Sequence, residues 1–142
     1  MQVRNLMSSS VVSIAPDESA ALAARLISRH NVGALPVCGE GGVLRGMVTD
    51  RDIILRCVAA EEDPAQTLVR DIMTRSCQTV APEDDVRKAS HLMADGQIRR
   101  LPVVESGKVV GMLSLGDLAC SHRCDMEASK ALSEISGNIR NL

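Results

Sequence analysis

The chain has 142 residues, a formal net charge of −2, and no Phe, Tyr or Trp. Its 16 basic and 18 acidic residues are scattered, which argues against a dedicated nucleic-acid or anionic-membrane protein. No apolar run approaches the roughly 18 residues of a membrane-spanning helix.

The elements read as follows in chain order. Residues 3 to 7 form a short helical lead-in. Val11 to Ile14 is a short strand closed by Ala15-Pro16. Glu18 to His30 is a helix with Leu22, Leu26 and Ile27 on one side. Ala34 to Cys38 and Val43 to Val48 are strands joined by a Gly-rich turn, which suits a hairpin. A helix then runs from Thr49 to about Ala60, and Glu61 to Thr67, with Pro64, is a linker. The order repeats: a lead-in at 69 to 73, a strand at 77 to 80, a helix at 83 to 95, strands at 100 to 104 and 109 to 113, and a helix from Ser114 to about Cys120. Beyond it, Met126, Leu132, Ile135 and Ile139 fall at helical spacing and predict an amphipathic tail.

The echo extends to residue identity. Val3-Arg4-Asn5-Leu6-Met7 matches Val69-Arg70-Asp71-Ile72-Met73, Ala15-Pro16 matches Ala81-Pro82, and Leu35-Pro36-Val37 matches Leu101-Pro102-Val103. Gly46-Met47-Val48-Thr49-Asp50-Arg51-Asp52 matches Gly111-Met112-Leu113-Ser114-Leu115-Gly116-Asp117. Internal duplication is the strongest organisational signal in the chain. It divides the sequence into a first repeat at 1–60, a linker at 61–68, a second repeat at 69–122 and a C-terminal helix at 123–142. Each half alone would bury little, so the halves are expected to share a core.

In both repeats the hydroxyl of Thr49 or Ser114 stands where a helix N-cap is expected, with Asp52 or Asp117 three residues on. Two roles fit this pattern. The pair can simply cap the helix. It can also hold a ribose and a phosphate, the carboxylate accepting from a diol and the hydroxyl and N–H groups donating to phosphate oxygens.

Taken together, the lead-ins ending in Leu6-Met7 and Ile72-Met73-Thr74, the Leu-Pro-Val strands and the doubled Gly-x-x-Thr/Ser-x-x-Asp resemble a tandem pair of cystathionine-beta-synthase (CBS) domains, of the bacterial stand-alone kind. The resemblance covers residues 3 to about 120. It implies a mixed α+β fold of two βαββα halves packed through their sheets about a pseudo-two-fold axis, with two clefts. It also implies an adenosine-containing ligand, AMP, ADP, ATP or S-adenosylmethionine, in a regulatory module without catalytic residues, commonly a homodimer, that signals through its own packing or a protein partner. Carried over by position, Asp52 and Asp117 take ribose hydroxyls, and Thr49 and Ser114 face phosphate. Ser13-Ile14 and Thr79-Val80 present backbone groups and an aliphatic wall to the adenine. Ala34-Leu35-Pro36 and Arg100-Leu101-Pro102 form the opposite wall.

The two clefts are not expected to be equal. Arg99-Arg100 precedes the second Leu-Pro-Val, whereas Gly33-Ala34 precedes the first. Arginine suits phosphate, so phosphate is expected where Arg99 or Arg100 reaches, with Arg51 a candidate in the first repeat. Two alternatives belong to other classes. One is a structural dimer with empty clefts. The other is a zinc or thiol sensor built on Cys120, His122 and Cys124, although these lack the spacing of common zinc ribbons. Cys38, Cys57 and Cys77 read as small core residues. Five cysteines without a secretory pattern predict reduced thiols and a cytoplasmic location.

Overall fold

Two hairpins form the local frame of the chain. In the computed structural model, which describes residues 1–120 and 130–135, β1 (Ala34–Cys38) pairs antiparallel with β2 (Leu44–Thr49). Likewise β3 (Arg100–Glu105) pairs with β4 (Lys108–Ser114). Ser106 and Gly107 join the second pair with φ of 53° and 78°. Two consecutive positive φ values make the tight turn whose twist matches that of an antiparallel pair.

Helices α1 (Ala20–His30) and α4 (Val86–Gly96) pack on these frames. Ser19 and Asp85 cap their N-termini by accepting from Leu22 and Arg87 amides. The linker also serves α1, because the Thr67 and Pro64 carbonyls accept the Ala20 and Ala21 amides at 2.8 and 3.0 Å. These are amides that a helix start cannot satisfy internally.

The chain divides into two compact units, and their boundaries do not follow the repeats. One unit comprises residues 12–77 with 107–109, the other residues 1–11, 78–106 and 110–142. The repeats have exchanged their lead-ins. Helix α3 (Val69–Ile72) opens the second repeat in sequence, yet Val69, Ile72 and Met73 lie in the core formed by Ile14, Leu35, Val37 and Val48. Val3, from the first lead-in, is buried with Val80, Leu101, Val103 and Leu118. Backbone bonds fix both docks. Val69 and Arg70 amides donate to Glu18 and Pro16, while Val3 and Arg4 amides donate to Asp84 and Pro82.

The exchange explains a glycine in each repeated motif. The Met47–Thr74 bridge lays the second lead-in across β2, where a Cβ on Gly46 would sit 2.5 Å from the Thr74 carbonyl oxygen. The Ser8–Met112 bridge does the same over β4, where a Cβ on Gly111 would meet Met7 Sδ at 2.7 Å and the Ser8 carbonyl oxygen at 3.0 Å. Only a residue without a Cβ permits backbones to approach so closely.

Three expectations change. The strands expected at 11–14 and 77–80 are reduced to single parallel bridges, Ile14 with Val37 and Val80 with Val103, so each sheet has two strands. Ala15-Pro16 and Ala81-Pro82 follow at once, and proline has no N–H with which to continue a ladder. The helix expected to run from Thr49 to about Ala60 is α-helical only in α2 (Asp50–Ile53), then widens into a π-turn over Ile54–Val58. The tail is helical at 130–135, with Ala131 and Ile135 buried but Leu132 49% exposed. Its inner face is thus Ala131 and Ile135, and it shares a shallow cavity of about 140 Å³ with Ser90, His91, Ala94 and Asp95 of α4. Met126 and Ile139 lie outside the described residues.

Candidate functional site

The two Thr/Ser-x-x-Asp motifs fold as full capping boxes at the starts of α2 and α5 (Leu115–Ala119). Thr49 Oγ1 accepts the Asp52 amide at 3.0 Å, and Asp52 Oδ2 accepts the Thr49 amide at 3.0 Å. Ser114 Oγ accepts the Asp117 amide at 3.0 Å, and Asp117 Oδ2 accepts the Ser114 amide at 2.8 Å. Capping does not exhaust these groups. A hydroxyl that accepts from an amide still has its own proton to donate, and a carboxylate that accepts through one oxygen has a second. The capping and ligand-binding roles are therefore compatible in principle.

The surroundings separate the two acids. Asp52 is 8% exposed, and its carboxylate also accepts from Thr74 Oγ1 at 3.3 Å and stands 3.8 Å from Arg56 Nη1. Arg56 in turn donates to the Ile72 and Met73 carbonyls at 3.0 and 3.2 Å. Asp117 is half-buried, and among the described residues its Oδ1 has neither a hydrogen-bond donor nor a cation. Neither Thr74 nor Arg56 stood out as a site residue in the sequence. The signal was a break in the repeat: the counterparts of Thr74 and Arg56 are Ser8 and Ser121.

Backbone bonds assemble the rest of each half-site. In the first repeat the Asp50 amide donates to the Gly33 carbonyl at 3.1 Å, and Ala34 pairs with Thr49. In the second the Leu115 amide donates to the Arg99 carbonyl at 2.8 Å. Arg99 therefore enters its strand directly beside the Ser114 cap. Arg99 is exposed and Arg100 half-buried, while Arg51 is exposed in the first turn of α2.

The residues expected to form the base-binding walls divide by burial. Ile14, Leu35, Val80 and Leu101 are core residues, and Pro36 and Pro102 are buried. Both backbone groups of Ile14 are engaged by the Pro36 carbonyl and the Cys38 amide, and those of Val80 by the Pro102 carbonyl and the Val104 amide. Free backbone at these strand starts belongs to Ser13 and Thr79, which are exposed and have no backbone partner among the described residues. Ala34 is half-buried.

The described cysteines differ in burial. Cys57 is buried, its thiol 3.6 Å from the Glu62 carbonyl oxygen. Burial pushes the Cys38 thiol up, against a weaker opposing pull from a hydrogen bond with Ser13, and burial likewise raises Cys77. A raised thiol is a poorer nucleophile and metal ligand at neutral pH. Cys120 is exposed at the end of α5, and His122 and Cys124 lie outside the described residues. Among the described residues no three His, Cys, Asp or Glu side chains gather as a metal site, and no helix is long and apolar enough to cross a membrane.

The CBS domain family matches this chain twice, over residues 3–59 and 69–120. The chain belongs to the CBS-domain family. The CBS domain-containing protein YhcV of Bacillus subtilis is 43% identical over 134 residues, 94% of each chain. Hypoxic response protein 1 of Mycobacterium tuberculosis is 32% identical over 116 residues, 82% of this chain and 81% of that protein. Among solved structures, Hypoxic Response Protein I with two coordinated zinc ions superposes with a TM-score of 0.78 at 30% identity, covering 84% of this chain and 97% of that one. The CBS-domain pair of protein MJ0100, in complex with 5′-methylthioadenosine and S-adenosyl-L-methionine, superposes with a TM-score of 0.74 at 27% identity, covering 84% and 93%. The chain is thus a tandem CBS pair, and stand-alone CBS pairs are in general regulatory modules that often bind adenosine ligands.

Proposed function

We propose that this CBS pair is a non-enzymatic regulatory module that binds an adenosine-containing ligand, AMP, ADP, ATP or S-adenosylmethionine, at the half-site of its second repeat. The observation that carries this reading is the Asp117 carboxylate, which among the described residues keeps one oxygen unengaged beside the Ser114 hydroxyl. That oxygen accepts from a ribose diol. Ser114 donates its remaining proton to phosphate, and Arg99 or Arg100 supplies the positive charge. The absence of aromatic side chains means that the base rests among aliphatic groups and exposed backbone at Thr79. The adenosyl ligands in the MJ0100 pair support the same ligand class.

Binding becomes a signal only if the ligand favours one arrangement of the chain, its homodimer or a protein partner over another. A thermal-shift titration with the four ligands tests the proposal. Stabilisation by at least one, lost in Asp117→Ala, is the expected result. No shift from any of them overturns it and leaves a structural dimer. Metal analysis of purified protein, with and without Cys120 and Cys124, tests the zinc alternative.

A further inference from the structure

The first repeat carries the same Thr-x-x-Asp motif as the second, but its acid is already occupied from within the chain. We infer that Thr74 and Arg56 close the first half-site to ribosyl ligands, so that each chain binds one equivalent, at Asp117. This rests on the adenosyl-ligand reading of the second half-site.

A ribose hydroxyl reaching Asp52 must take a position in which the carboxylate is free to accept. Its Oδ2 holds the Thr49 amide, and the Thr74 hydroxyl lies 3.3 and 3.5 Å from Oδ1 and Oδ2. Thr74 is therefore placed as the ligand's hydroxyl would be. Arg56 adds a positive charge 3.8 Å from Oδ1 and is itself fixed by the Ile72 and Met73 carbonyls. Thr74 does not reach Asp52 by chance rotation. Its backbone is tied in both directions to Met47, its amide donating at 2.8 Å and its carbonyl accepting at 2.9 Å. The ligand would have to displace a donor that is held in place by the sheet. An intramolecular donor of this kind competes at high effective concentration, without the translational cost that a free ligand bears.

At Asp117 neither element of the closure is found among the described residues. Ser8, the counterpart of Thr74, has the matching backbone tie to Met112 but no hydrogen bond to Asp117. Arg56 is matched in sequence by Ser121, which carries no charge. Thr74 and Arg56 are thus specificity-determining residues, and the duplicated motif yields one structural acid and one ligand-binding acid.

Isothermal titration with AMP, ADP, ATP and S-adenosylmethionine, each against four proteins, tests this. Wild type is expected to bind one equivalent, and Asp117→Ala to bind roughly ten- to hundred-fold more weakly, with no equivalent left at wild-type affinity. Asp117→Ala with Thr74→Val and Arg56→Ala is expected to regain one equivalent, lost again on adding Asp52→Asn. Thr74→Val preserves side-chain volume and removes only the donor. Two equivalents in wild type, one retained at wild-type affinity in Asp117→Ala, or none regained by the folded triple variant overturns the inference. Absence of binding in every protein refutes the adenosyl reading instead. The Thr74–Asp52 contact is then tested without ligand by a double-mutant cycle in urea, with Thr74→Val and Asp52→Asn. Non-additive midpoint shifts are expected, and additive shifts overturn the closure.

Discussion

The Arg99 carbonyl accepts the Leu115 amide at 2.8 Å, which sets an arginine beside the helix start that Ser114 caps. In the first repeat the same bond runs from Asp50 to Gly33, a residue with no side chain to offer. Replacing Arg99 and Arg100 together with alanine is expected to abolish stabilisation by AMP, ADP and ATP. Stabilisation by S-adenosylmethionine, which has no phosphate, should persist if that ligand binds. Both arginines are at least partly exposed, so the unliganded melting temperature should hardly move. Differential scanning fluorimetry reads both effects.

Asp52 and Asp117 should fail differently. Asp117→Ala is expected to weaken nucleotide binding roughly ten- to hundred-fold, the loss of a charged hydrogen bond of about 1.5–3 kcal/mol. Asp52→Ala strips acceptors from the Thr49 amide and the Thr74 hydroxyl, and a neighbour from Arg56. It should lower folding stability by about 1–3 kcal/mol in urea titrations. Equal stability losses in the two variants would contradict this division.

Gly46→Ala and Gly111→Ala should both destabilise, Gly46→Ala the more. The Gly46 Cβ would strike the Thr74 carbonyl oxygen, part of a backbone held by a bridge. The Gly111 Cβ would first meet Met7 Sδ, the flexible end of a side chain that can give way. Overpacking of this kind typically costs about 1–3 kcal/mol. Chemical denaturation of the two variants gives the order.

Val3 lies in the core of the second repeat although it belongs by sequence to the first. Val3→Ala should cost about 1.5–3 kcal/mol through lost burial and the cavity left behind. Hydrogen exchange should accelerate in α4, β3 and β4 more than in β1 and β2. The reverse pattern would refute the exchanged lead-ins.

Asp84 accepts the Ala81 amide at 2.8 Å, and this bond, aided by Lys88, holds its carboxyl below the ordinary value. A carboxyl depressed on folding contributes stability above its unfolded value, near pH 4, and loses it as pH falls through the lower folded value. The second unit should therefore weaken on acidification, and Asp84→Asn should flatten that part of the pH–stability profile. The Lys88 side chain is 58% exposed and that of Asp84 21%, so solvent screening keeps the Lys88 share of the effect small.

Much of the local architecture was legible in the residues. The Leu-Pro-Val strands and the glycine-containing turns located both hairpins, and the Thr/Ser-x-x-Asp spacing located both capping boxes, because these are determined by neighbours along the chain. The lead-in exchange was not legible, since nothing local says whether Val3 or Val69 fills a given core. Gly46 and Gly111 hinted at it, as glycine within a strand marks a close backbone approach. The engagement of Asp52 escaped for the same reason: Thr74 lies 22 residues away, and the signal was confined to the Thr74-to-Ser8 and Arg56-to-Ser121 mismatches. Ile14 and Val80 were placed in strands, but proline limited each to one bridge.

The exchanged lead-ins impose an order on synthesis. Apart from the 107–109 tip, the unit holding β1 and β2 has all its residues once Cys77 is made, whereas Val3 waits for Leu101 and Leu118 to emerge. The Val3 lead-in is thus made before its own hairpin yet seated after it, and such distant pairing slows folding. A ribosomal pause after the first repeat would leave the Val3 arm undocked while its own hairpin was already closing.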